Sequence, residues 1–207
     1  MKIPKIIHQI WIGTKEAPKF LGSWGELHKD YEYIIWDDRK VKKMQLVNKH
    51  LYEAYDHEEQ NIWNGRANLL RIELLNKYGG IYIDADIECL RPMTGSFLDS
   101  QFFCVYANEQ RRGKLINNAV IGSTSQHPII SSMINKLRNK KKVEQPSHVF
   151  SGPRLFTECV KEYKRNICIL PSYYFYPEFY DGTKYTGDFQ PFGRHYWGET
   201  KKLYGKI

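Results

Sequence analysis

The sequence predicts an α/β fold, a largely parallel, Rossmann-like sheet flanked by helices. Two observations carry that expectation. Short apolar runs closed by glycine or aspartate alternate along the chain with longer segments of helical periodicity. No internal repeat and no linker rich in proline, glycine or serine divides the chain. With 207 residues, 42% of them hydrophobic, roughly two-thirds of the unfolded surface can be buried in one core, so a single domain over 1–207 is expected.

The elements follow in order. Lys5 to Gly13 is an apolar run ended by glycine and reads as a buried first strand; Trp24 to Leu27 reads as helical, and Tyr31 to Trp36 as a second strand closed by Asp37-Asp38. A helical pattern covers Val41 to about Tyr55, and another runs from near Glu59 to Tyr78, where Gly79-Gly80 stops it. Ile81-Tyr82-Ile83 is a β-rich triplet leading straight into Asp84-Ala85-Asp86, and further strands are expected at Phe102–Tyr106, Asn117–Gly122 and Ile167–Leu170. Pro128 opens a helix to about Leu137, and Ser151-Gly152-Pro153 precedes one to about Tyr163. From Tyr173 onward the chain is rich in aromatic residues, glycine and proline without clear periodicity, which reads as a tail or a lid.

The balance of 31 Lys and Arg against 23 Asp and Glu gives a net charge of +8. That field favours anionic partners without choosing among nucleotides, acidic glycans, lipid headgroups and nucleic acid. Cys89, Cys104, Cys159 and Cys168 form no Cys-x-x-Cys pair and no zinc-ligand spacing with histidine. A reduced, cytoplasmic chain is therefore expected. Residues 1–5 lack the apolar core of a signal peptide, and no stretch approaches the ~18 apolar residues of a membrane span. Membrane association is thus expected to be peripheral at most.

The chemistry concentrates at Asp84 and Asp86. In an extended strand both side chains would point to one side and Ala85 to the other. Two carboxylates at the carboxyl end of an α/β strand suit a divalent cation shared with a diphosphate. With Glu88 nearby and a basic chain, a metal-dependent phosphoesterase or nuclease is the competing enzymatic reading, although such sites draw ligands from several segments and no second cluster is visible. A non-catalytic glycan-binding protein is a third.

The run Lys5-Ile6-Ile7-His8-Gln9-Ile10-Trp11-Ile12-Gly13, taken with the ordered block Arg71 to Asp86, resembles the DXD-containing sugar transferases of glycosyltransferase family 32. That resemblance implies the GT-A fold, with a nucleotide-sugar-binding half over about 1–115 and an acceptor side with the C-terminal tail over about 116–207. It implies Mn²⁺ or Mg²⁺ as cofactor, a nucleotide-sugar donor with UDP-sugars favoured over GDP-mannose, and a glycan, polysaccharide or lipid-linked acceptor rather than nucleic acid. It also implies retention of anomeric configuration. For a lipid-linked acceptor, the lysine-rich surface would suit peripheral contact at the inner membrane face of a cytoplasmic chain.

Residue by residue, the resemblance gives Asp86 as a direct metal ligand and Asp84 as the contact to ribose, sugar or metal-bound water. Trp11 would stack on the base beside Ile10, and Arg71 would approach donor sugar and phosphate. His195, in His195-Tyr196-Trp197, would add a metal or diphosphate contact, with Trp197 and Thr200 as lesser candidates. Asn117 and Asn118 match a position near donor sugar or acceptor. Asn68 stands where the family carries an acidic residue; it shares a helix face with Arg71 at i,i+3, so the geometry survives while a charge is lost. Thr200-Lys201 replaces the family's Ser-Trp pair.

Overall fold

The computed structural model describes residues 2–55, 62–198 and 200–207. A six-stranded sheet of order β2-β1-β3-β6-β5-β7 forms the centre, from β1 (Ile6–Ile10), β2 (Glu32–Trp36), β3 (Gly80–Ile83), β5 (Phe102–Tyr106), β6 (Ile116–Ser123) and β7 (Cys168–Leu170). Pairing is parallel for β1 with β2, β1 with β3 and β5 with β7. It is antiparallel on both sides of β6, so all but that strand run one way.

Alternate strand residues feed two separate cores. Ile10, Tyr82, Phe102, Cys104 and Ile121 pack against α4 (Ile62–Tyr78), α6 (Pro128–Arg138) and α8 (Pro153–Glu162), represented by Leu70, Leu74, Met133 and Phe156. Ile7, Ile81, Ile83, Phe103 and Val120 meet the opposite layer, whose residues include Trp24 of α1 (Ser23–Leu27), Phe97, Phe175, Tyr176, Phe192 and Trp197. The long helices therefore share one face, and the aromatic tail covers the other as a packed layer. Both-sided burial explains why β3 is apolar throughout, with every residue buried.

Two expectations on local structure are corrected. The helix expected from Val41 to Tyr55 is two, α2 (Asp38–Lys42) and α3 (Lys49–Ala54). The chain breaks between them because the buried Glu73 carboxylate accepts the backbone N–H groups of Val47 and Asn48, at 3.2 and 2.9 Å, in place of helical bonds. The start expected near Glu59 lies outside the described residues.

The second correction concerns the aspartates. β3 ends at Ile83, and Asp84-Ala85-Asp86 forms a turn in which the N–H of Ile87 donates to the carbonyl of Asp84 at 3.1 Å. Strand alternation is therefore not what aims them. After the turn, β4 (Ile87–Cys89) pairs with β8 (Gly193–His195) in a separate small sheet. At the opposite end of β3, Gly79 and Gly80 hold φ of +66° and +96°. A Cβ on Gly80 would sit 2.7 Å from the carbonyl oxygen of Ile6, so only glycine allows α4 to stop there and β3 to start beside β1.

Candidate active site

Topology gathers the site. β1 and β3 are parallel neighbours, so Trp11 after one and Asp84 after the other emerge at the same edge of the sheet. β6 runs oppositely, with Val120 beside Ile83, which brings Asn117 and Asn118, near its start, to that edge. α4 leads into β3 and carries Asn64, Asn68 and Arg71 alongside. The small sheet sets His195 opposite Ile87, next to Asp86. This is the ligand-binding edge of open α/β sheets.

Asp84 is engaged from the helical side. Its Oδ1 lies 3.1 Å from Arg71 Nη1 and accepts from the hydroxyl of Tyr82 at 2.7 Å. The buried guanidinium also donates to the carbonyl of Asn118 at 2.6 Å and lies 4.6 Å from the centre of the Tyr82 ring. Burial pushes the Asp84 carboxyl above its ordinary value, with Asp86 adding to the rise and Arg71 opposing it. The Tyr82 hydroxyl, also buried, is held well above its ordinary range and stays a donor.

Asp86 is engaged from the tail. Its Oδ1 lies 3.1 Å from His195 Nε2, and its Oδ2 accepts the backbone N–H of Gly198 at 2.7 Å. Burial disfavours its charge, but His195 and the Gly198 N–H outweigh that and hold its carboxyl below the ordinary value. His195 stacks on Trp197 with ring centres 4.0 Å apart. Trp197 has φ of +57°, a conformation costly for a bulky side chain, and the turn it makes precedes the N–H aimed at Asp86.

Asp84, Asp86 and His195 each offer a ligand atom within 4.8 Å of one another. Two carboxylate oxygens and an imidazole suit a hard or borderline divalent cation. Glu88 is not in this group; it accepts from the Tyr196 hydroxyl at 2.8 Å. That corrects the expectation that Glu88 might share in holding ions.

A cleft extends from the aspartates to Trp11, lined also by Ile10, Lys15, Trp63, Asn64, Arg71 and Tyr204. It continues on the other side to Asn68, Asn117, Asn118, His195, Trp197 and Thr200. Asn68 is used at both ends of its amide: Oδ1 accepts from Asn118 Nδ2 at 2.9 Å, and Nδ2 donates to the carbonyl of Ser147 at 3.3 Å. A carboxylate would face that carbonyl with nothing to donate, which is a physical reason for asparagine here. Trp11 is half-buried, with its ring N–H donating to the carbonyl of Lys15, while Ile10 and Ile12 enter the core. Sequence reasoning missed Tyr82, Trp63, Asn64, Ser147 and Tyr204. Tyr82 was open to inference, two residues before Asp84; the others come from segments without a motif.

An α/β sheet that gathers a half-buried tryptophan, a buried arginine and a paired-aspartate turn at its ligand edge has the architecture of a GT-A domain. A family model described as a glycosyltransferase sugar-binding region containing the DXD motif matches residues 14–103, and over that stretch the chain is similar to the DXD-containing glycosyltransferases. Inositol phosphoceramide mannosyltransferase 3 of Schizosaccharomyces pombe is 33% identical over 139 residues, 65% of this chain and 37% of that protein. An uncharacterized glycosyltransferase of Acanthamoeba polyphaga mimivirus is 28% identical over 187 residues, 84% of this chain and 73% of its own. The chain thus spans little more than a third of the yeast relative. The solved structure of PaToxG glycosyltransferase superposes with a TM-score of 0.60 at 21% identity, covering 78% of this chain and 69% of that one; at that identity the likeness is one of fold.

Proposed function

We propose that this chain transfers a hexose from a nucleotide-sugar to a glycan, polysaccharide or lipid-linked acceptor, with retention of configuration and with a divalent cation held by Asp84, Asp86 and His195. The observation that carries the proposal is the meeting of those three ligand groups and Arg71 in one cleft that ends at Trp11. Mn²⁺ suits the mixed oxygen and imidazole set, and Mg²⁺ is the alternative. When bound, the cation neutralises charge that builds on the departing diphosphate.

The chain's own residues supply the rest. Arg71, fixed by Asp84 and the Asn118 carbonyl, is preorganised to stabilise the same charge without rearranging. Trp11 would offer a face for the base, and Asn117 and Asn118, which line the cleft beyond the aspartates, would meet the donor sugar or the acceptor. Among the described residues lining the cleft, Asp84 and Asp86 are the acidic ones, and both are engaged by partners. That supports front-face attack on a short-lived ion pair over a covalent glycosyl-enzyme; trapping such an adduct would overturn this part.

UDP-sugars are the first donors to test, and GDP-mannose is the next, since the yeast relative is named a mannosyltransferase. Among the described residues no helix is long and apolar enough to cross a membrane. A lipid-linked acceptor would be met by peripheral docking through exposed lysines 140–142, in the cytoplasm. The test is release of free nucleotide from a panel of UDP- and GDP-sugars with Mn²⁺ or Mg²⁺. Release from one donor, lost in Asp86→Ala, supports the proposal. Cleavage of nucleic acid in the same buffer, or silence with every donor and acceptor, sinks it.

A further inference from the structure

Tyr204 lines both parts of the cleft. Its ring meets Trp11 at 5.2 Å between centres and 75° between planes, and Lys15 Nζ sits 5.2 Å from the centre of the same ring. Two rings at that angle make a corner. A flat heterocycle lying on one ring presents its edge to the other.

The segment carrying Tyr204 is tied down. Lys201 N–H donates to the Trp197 carbonyl at 2.8 Å, Leu203 N–H to Gly198 at 2.7 Å, and Lys19 N–H to Ile207 at 3.3 Å. Gly198, whose N–H reaches Asp86, is also where the Tyr204 ring rests. A Cβ there would lie 2.4 Å from Tyr204 Cε1. Glycine at 198 thus lets one short stretch touch the acidic end of the cleft with its backbone and the aromatic end with a side chain. The cleft remains open with Tyr204 in place, so the ring borders the space and does not fill it.

We propose that Tyr204 is a nucleoside-binding residue, the second aromatic wall of a corner that Trp11 begins, which holds the base of the nucleotide while the diphosphate lies towards Asp84 and Asp86. The inference rests on the nucleotide-sugar reading of the cleft and adds to it a residue that no motif marks.

Calorimetric titration of UDP and GDP, each with Mn²⁺, into the wild type and the variants Tyr204→Phe, Tyr204→Leu and Tyr204→Ala tests it. The wild type and Tyr204→Phe should agree within about twofold, while Tyr204→Leu and Tyr204→Ala should lose about tenfold in Kd for the better nucleotide, or about 1.4 kcal/mol. Unchanged binding in Tyr204→Ala, or leucine serving as well as phenylalanine, overturns the proposal. So does tighter binding in Tyr204→Ala, which would make the ring an occluding group. If no nucleotide binds any of the four proteins, the nucleotide-sugar reading itself falls and takes this inference with it, a result distinct from selective failure of the tyrosine.

Discussion

The two faces of the central sheet are covered by different kinds of chain, and each supplies one of the paired aspartates with its partners. On the helical face, α4, α6 and α8 bury rows of aliphatic residues, and from this side Arg71 and Tyr82 reach Asp84. On the other face an irregular run of aromatic residues does the covering, and it delivers His195 and the Gly198 N–H to Asp86. Periodic packing can fix a side chain from within one element. The aromatic layer places its groups only once the whole tail has docked, so the Asp86 half of the site depends on long-range assembly.

The largest expected effect tests that division directly. Asp86→Ala should lower turnover by at least about 10³-fold, and it also removes the acceptor of the Gly198 N–H. Steady-state rates on the donor found above, compared with proteolysis of the tail, check both consequences. A rate loss with no change in tail protection would show that the tail holds its place without the aspartate.

Next come two core truncations, one on each face. Leu74 and Phe175 are both fully buried, and replacing either by alanine should cost about 3 kcal/mol in denaturant unfolding. Only Phe175→Ala should also weaken Mn²⁺ binding, because the neighbouring Tyr176 packs against His195. Equal Mn²⁺ affinity in both variants would break the comparison.

The third prediction concerns His8, which lies on the helical side of β1. Its Nδ1 accepts from the Trp36 ring N–H at 3.1 Å, its Nε2 donates to the Gly79 carbonyl, and burial lowers its pKa to about 4. The folded state therefore holds it neutral while the unfolded chain takes up a proton near pH 6.5. Stability from this group is complete above pH 6.5 and is lost as pH falls towards 4, by at most about 3 kcal/mol. Thermal melts between pH 7 and pH 4 should show that slope, and His8→Gln should flatten it. An unchanged slope would assign the acid sensitivity to the other buried histidines.

The smallest effect belongs to Asn68→Asp, which restores the family's acidic residue. It leaves the Ser147 carbonyl without its donor and should cost about 1–2 kcal/mol by thermal melting. No loss would mean that the link between α4 and the segment at Ser147 is dispensable.

Much of the fold was legible because its signals are local. Apolar triplets before Asp84, the Gly79-Gly80 stop and the Pro128 and Pro153 helix starts each follow from backbone chemistry within a few residues. The segment around Asn48 was not legible, because Glu73, distant in sequence, captures its backbone N–H groups. For the site, Asp84, Asp86 and Arg71 were found through their ordered block, whereas Tyr204 and Gly198 carry no periodic or compositional mark. By itself the sequence determined the order of the six central strands and of the long helices, and the residue types of the acidic turn, since propensity and glycine geometry act over short range. Only the tertiary structure decided that this turn, and not strand alternation, aims the aspartates, and that the aromatic tail forms the second core layer, because both depend on contacts between segments about a hundred residues apart.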